Sequence, residues 1–311
     1  MLALGALQNA PQAFAEDSMP PAIDNKEPRP SNDSPVPDVE SNDSPSESAP
    51  SQPSPATQLA TETAPPSAPE VAIRRYRLEA SSFDNKVSNG FGNWWGGGLT
   101  LSGQPSDRIM VAGSFFSQSR PGEWEQLVAF RALINWSKWF YTDATVSGGG
   151  PDDPAAFFPK FRYDLSANVK VPFLRGLILT GGLTRLYFGN PNNGRIRRAG
   201  AIYYWRHFVF QGNLNFNNAR PGNHKSKAVD GAVQYGREGH YWIGLVAGGG
   251  REAWQTLTFT PQDVQFTSYS GSVFLRKWLA RSYGVAFSYS YDLKRTAYRI
   301  NGVEMKFFVD F

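Results

Sequence analysis

The sequence has no cysteine, and histidine occurs only three times in 311 residues. Without thiols there is neither a disulfide framework nor a Cys-ligated metal site. No run of about eighteen apolar residues exists, so a membrane-spanning helix is excluded. Phosphate-binding signatures are missing too: the "AGGG" at 247–250 has no lysine and helix behind it. His207 and His240 fall at tight connections, and His224 stands in the basic stretch "PGNHKSK" with Ser226 two residues on. A lone histidine among lysines reads as solvated, not as the base of a nucleophile. The adjacent acids Asp152 and Asp153, set between prolines, read as a loop before they read as a cation site. No enzyme, cofactor, metal or nucleic-acid partner is therefore expected.

What the chain has in quantity is glycine, with 30 residues, and aromatic side chains, at 14%. Its ending, "NGVEMKFFVDF", alternates strictly. Val303, Met305, Phe307, Val309 and Phe311 share one face, and Glu304, Lys306, Phe308 and Asp310 the other. A period of two places such sets on opposite sides of a strand. Either a half-buried strand of a soluble sandwich or the last strand of a membrane barrel has this form. The mildly polar mean hydropathy of −0.41 does not decide between them, because a barrel hides only every second residue in lipid.

The same alternation recurs along the body, for example in "KFRYDLSANVKV" and "SYGVAFSYSY". Strands are expected near 72–82, 95–104, 108–118, 124–134, 136–147, 159–171, 175–187, 194–204, 206–217, 226–236, 240–250, 263–277, 281–292 and 297–311. Tight connections such as "QPSD", "WR" and "GREGH" take turns with longer ones such as "SQSRPGEW" and "NNARPGNHKSK". That rhythm belongs to an outer-membrane barrel with short periplasmic turns and long outer loops. Trp94, Trp95, Trp124 and Trp254 fall near the expected outer loops, and Trp136, Trp139, Trp205, Trp242 and Trp278 near the inner turns. Interface-loving rings favour the barrel over the sandwich. The fold class expected is all-β, a transmembrane antiparallel up-and-down barrel of about fourteen strands, within twelve to sixteen. Both termini are expected in the periplasm.

Ahead of the barrel lie two other segments. Residues 1–15 end in Ala13-Phe14-Ala15, a signal-peptidase pattern behind a short apolar stretch, and are expected to be a truncated signal peptide. Residues 16–71 hold thirteen of the 23 prolines and no aromatic residue. Such a segment cannot bury enough apolar area to offset chain entropy, so a disordered periplasmic linker is expected before a barrel at 72–311. The linker has eleven acids against two bases. Of 31 bases and 27 acids the barrel therefore keeps 29 and 16. A basic body behind an acidic tether follows.

Assigning faces by alternation gives lumen candidates Arg162, Asp164, Lys170, Arg195, Arg197, Asp230, Arg276, Glu304 and Lys306. This takes Ile202 and Tyr204 as outward, which turns Arg198 to the membrane side. Arg198, Arg220, Lys225 and Lys227 are then candidates for contact with lipopolysaccharide phosphates at the outer rim, the alternative being that they simply aid solubility. A basic lumen would favour anions.

The stretches "VSNGFGNWWGG", "AAFFPKFRYDL", "AIYYWRHF", "VQYGREGHYWIGLVAGGG" and "YRINGVEMKFFVDF" give the body a family resemblance. In their order and spacing, over most of 78–311, the chain resembles the YaiO-type outer-membrane β-barrel family, related to the barrel of the poly-N-acetylglucosamine export porin. The resemblance implies an outer-membrane location and a link with surface polysaccharide, and it supplies no catalytic residues. It also implies that the barrel-assembly machinery reads the terminal Phe311. Related proteins can carry helical repeats or a glycosyltransferase upstream, where this chain has its tether. Three roles stay open: a pore or conduit for a glycan or for small anionic or neutral solutes, a structural or glycan-binding barrel with a plugged lumen, and an outer-membrane enzyme. Expected partners are outer-membrane lipid and lipopolysaccharide, the assembly machinery and a surface polysaccharide.

Overall fold

The structure, a computed structural model, describes residues 76–150, 158–189, 192–252, 266–295 and 298–311. The expected signal peptide, the linker, Asp152, Asp153 and Trp254 lie outside the described residues. Fourteen strands follow one another: β1 (Tyr76–Val87), β2 (Asn93–Ser106), β3 (Ile109–Arg120), β4 (Glu123–Asn135), β5 (Phe140–Gly148), β6 (Phe161–Lys170) and β7 (Leu177–Gly189), then β8 (Asn192–Trp205), β9 (Phe208–Arg220), β10 (His224–Arg237), β11 (Tyr241–Glu252), β12 (Phe266–Ala280), β13 (Tyr283–Lys294) and β14 (Tyr298–Asp310). Each pairs antiparallel with its sequence neighbours, and β1 with β14 closes the barrel. The seam is sealed by reciprocal bonds between Tyr76 and Phe311, whose N–H groups donate to each other's carbonyls at 3.0 and 2.9 Å. Closure leaves no unpaired strand edge, which is what hydrocarbon surroundings demand.

One face of the alternating pattern looks out. Leu101, Phe130, Leu165, Leu179, Leu214, Leu245, Phe287 and Met305 are large, apolar and at least half exposed. A continuous surface of that kind is a lipid face. The polar set looks into the lumen, and fourteen strands fall between barrels filled by their own side chains and the wider porins.

Several strands run further than their alternation predicts. The expected outer loops "SQSRPGEW" and "NNARPGNHKSK" shrink to Pro121–Gly122 and to residues 221–223, because their polar flanks continue the ladder. Gly122 takes a φ of 83°, which only glycine accepts at ease after Pro121. At the opposite end, expected strand 136–147 starts late, at Phe140. The Ser137 hydroxyl there accepts the N–H groups of Trp139 and Phe140, which holds residues 136–139 as a turn.

Many glycines have a packing purpose. Phe83 stands directly opposite Gly96, Phe116 opposite Gly98, Phe274 opposite Gly244 and Phe308 opposite Gly284, all on the lumen face. A Cβ on Gly284 would come within 2.4 Å of the Phe308 ring, and one on Gly244 within 2.4 Å of Phe274. The rings therefore lie along the wall, over the glycines.

Candidate functional site

The lumen wall is built from side chains that satisfy one another. On β6, Arg162 grips Asp164 with two N–H groups at 2.7 and 2.9 Å, and the Thr184 hydroxyl donates to the same carboxylate. Asn168 continues the row, accepting from Thr180 at 2.8 Å. Arg131 clasps Asp143 in the same two-pronged way across β4 and β5. From β8 to β10 the chain of bonds runs from Arg198 to Asn215, and from Asn215 and Asn213 to Asp230. On the far wall Lys306 lies between Glu304 and Glu79, at 3.3 and 3.5 Å, and Arg276 adds a bond to Glu79 at 2.7 Å. Two-pronged Arg–carboxylate pairs fix both partners in place. The middle of the lumen thus offers amides, hydroxyls and already neutralised ion pairs.

At the end where β1 begins and β14 finishes, called the terminal end, the lining changes to a packed aromatic layer. Tyr141, Ile178, Ile202, Val209, Trp242, Trp278 and Phe308 are buried together, with Leu133, Tyr204 and Phe274 against them. Arg77 spans this end: it bonds Asp310 on β14 and reaches past β13 and β12 to Glu238 in the β10–β11 turn at 2.8 Å. The Arg77 guanidinium lies 5.0 Å from the Phe308 ring centre, and the Arg276 guanidinium also 5.0 Å from it. Trp278 donates to Asp310 at 3.0 Å, and Trp242 to Glu238 at 3.2 Å. Burial pushes the Glu238 carboxyl above its ordinary range, against the pull of Arg77. At the opposite, loop end, Val87, Trp94, Tyr298 and Ile300 form a second cluster, with the Arg120 guanidinium 3.9 Å from the Trp94 ring centre.

The structure distributes the sequence-predicted residues differently from the assignment by alternation. Arg162, Asp164, Lys170, Asp230, Arg276, Glu304 and Lys306 stand on the lumen face. On β8 the two faces are the reverse of the assignment. Ile202 is 6% exposed within the aromatic layer and Tyr204 packs on it, so Arg198 points into the lumen and Arg195 and Arg197 point out. The reason is the apolar layer itself: near the terminal end, an apolar residue is as much at home inside as outside. Arg220, Lys225 and Lys227 are outward. The lumen therefore is not the basic surface that composition suggests. Inward Arg77, Arg131, Arg162, Arg276 and Lys306 pair with acids and Arg198 bonds the Asn215 amide, while the basic excess lies on the outer face and rims.

Tryptophan is divided as well. Trp95 and Trp124 meet edge to face outside at the loop end, and Trp136, Trp139 and Trp205 are exposed at the terminal end. Trp94, Trp242 and Trp278 face inward and are buried, so these three are not interface rings. Their sequence signal was the glycine or small polar residue on the facing strand, as at Gly236 opposite Trp242 and Gly284 opposite Trp278. His224 faces inward beside Ser226, whose hydroxyl accepts from Asn217, and among the described residues no group of three or more metal-binding side chains forms.

A family model described as the YaiO membrane beta barrel domain matches residues 76–255. No curated protein sequence matches the chain. Among solved structures, it is similar to the CymD monoaromatic hydrocarbon channel, at 10% identity and a TM-score of 0.49, over 76% of this chain and 89% of that one. A bacterial polysaccharide outer membrane secretin aligns at 8% identity and a TM-score of 0.49, over 76% of this chain and 99% of that one. An outer membrane channel from Pseudomonas putida F1 aligns at 10% identity and a TM-score of 0.44, over 79% and 99%. None of these likenesses bears on what the present lumen handles.

Proposed function

For a chain that belongs to the YaiO membrane β-barrel family, we propose the role of an outer-membrane conduit for neutral, hydroxyl-rich molecules of the glycan class. One observation carries this reading: the lumen wall is lined by hydroxyls, amides and ion pairs whose charges already cancel. A pore with unpaired charge concentrates counter-ions. A compensated wall has little to offer an ion, but it exchanges hydrogen bonds with a polyol at small desolvation cost. The aromatic layer at the terminal end then acts as the closed gate, with flat rings suited to the apolar faces of sugars. In this reading the termini and the linker are periplasmic, the loop end faces outward, and assembly factors engage Phe311.

The test is swelling of liposomes that contain the barrel, in neutral oligosaccharide. The native protein should admit sugar slowly, and Trp242→Ala with Trp278→Ala should speed entry several-fold. A second reading, a structural barrel with a plugged lumen, is favoured by that same layer. Absence of swelling in both native protein and variant would select it.

A further inference from the structure

The outward face of β7–β10 near the loop end carries two registered rows that the lumen reading does not use. In the first, Arg185 stands directly opposite Arg195, Arg195 opposite Asn218, and Asn218 opposite Lys225. In the second, one step toward the middle of the barrel, Arg197 stands opposite Phe216 and Phe216 opposite Lys227. Like charges directly opposite on a sheet repel, so the Arg185–Arg195 pair is costly without an anion between. Among the described residues, no carboxylate shares the outward face of β7–β10. The Nε atoms of Arg185 and Arg195 are buried and lack a hydrogen-bond partner. Beside the second row a hollow of about 460 Å³ opens, lined by Leu214, Phe216, Lys227, Val229 and Gly249 among others. Gly249 stands opposite Val229 on one side and under the Tyr269 ring on the other. Cations above and an apolar slot beside them fit one molecule that carries phosphate and acyl chain on a single headgroup.

We propose that this face binds a phosphorylated, acylated glycolipid of the lipid A type. Its phosphate lies across Arg195, Arg197 and Lys227, with an acyl chain in the hollow. The leaflet rests on the orientation given under Proposed function, but the binding itself does not. None of these residues touches the lumen, so this proposal and the conduit reading can fail separately.

The experiment titrates the detergent-purified full chain with bis-phosphorylated lipid A and follows bound lipid by native mass spectrometry. Parallel arms use the same lipid stripped of phosphate, phosphatidylglycerol and inorganic phosphate. Lipid A should bind in a one-to-one complex, and the other three should bind weakly. Arg195→Gln with Lys227→Gln should weaken lipid A binding about tenfold or more, given the attraction each basic group contributes at an anionic surface. Val229→Trp, which fills the hollow, should weaken it without changing charge. Equal binding of stripped and phosphorylated lipid by the native protein would overturn the proposal, whether or not a variant folds. Equal binding of phosphatidylglycerol would overturn it too, by showing attraction to any anionic lipid.

Discussion

Arg77 and Phe311 show how much a single position decides in this barrel. The Arg77 guanidinium is nearly buried and holds Asp310 and Glu238 at once. Removing one member of such a group leaves buried carboxylates without compensation, which costs on the order of 3 kcal/mol. Arg77→Leu should therefore lower the unfolding free energy of the refolded barrel, taken from its guanidinium midpoint and slope, by about that amount, and an unchanged midpoint would mean the two acids find other partners. Phe311 stacks on Tyr76 with ring centres 6.0 Å apart while its backbone closes the seam. Deleting it should cut the yield of folded barrel in cells several-fold, with a smaller effect on refolding in vitro, and Phe311→Trp should restore assembly. Equal yields with and without the residue would make this ending incidental. At this scale the sequence was legible only in part. The facing of β14 could be read because its two sides differ in charge. The facing of β8 could not, because Ile196 and Ile202 share a side with Arg198, and Ala199, Ala201 and Tyr203 share the other with Arg195 and Arg197.

Among the elements, strand number and order were readable from alternation, since the two-residue period runs through most of each strand, with register shifts near the ends of β2, β7 and β12. Strand length was not. Polar runs such as "SQSRPGEW" pair as well as apolar ones once the ladder extends past the lipid, so composition marks the membrane boundary and not the strand end. The glycine content gains its meaning here, in the Phe–Gly pairs of neighbouring lumen-facing positions. A side chain at Gly284 would meet the Lys277 carbonyl at 2.3 Å as well as the Phe308 ring. Gly284→Val should therefore lower the temperature at which the folded band is lost on unboiled gels. Gly181→Ala, where nothing lies within 4 Å, should leave it unchanged. Loss of stability in both would show that backbone freedom, and not ring packing, explains the glycines.

For the whole molecule, composition revealed the basic body but not where its charge resides. Fourteen closed strands sort charged residues by alternate facing, which places Asp164 and Glu304 beside inward bases and leaves Arg185, Arg195, Lys225 and Lys227 outside. A net charge sums both faces and loses that division. The same sorting separates the conduit from the lipid-binding face, so outward charge variants should change lipid binding without changing passage. The most direct measurement is the reversal potential of the gate-opened Trp242→Ala, Trp278→Ala barrel in a planar bilayer under a salt gradient. A charge-compensated lumen predicts open channels with a potential close to zero, little altered by Arg195→Glu and Arg197→Glu. Strong anion selectivity that those two changes abolish would contradict it, because the outward arginines would then line the path.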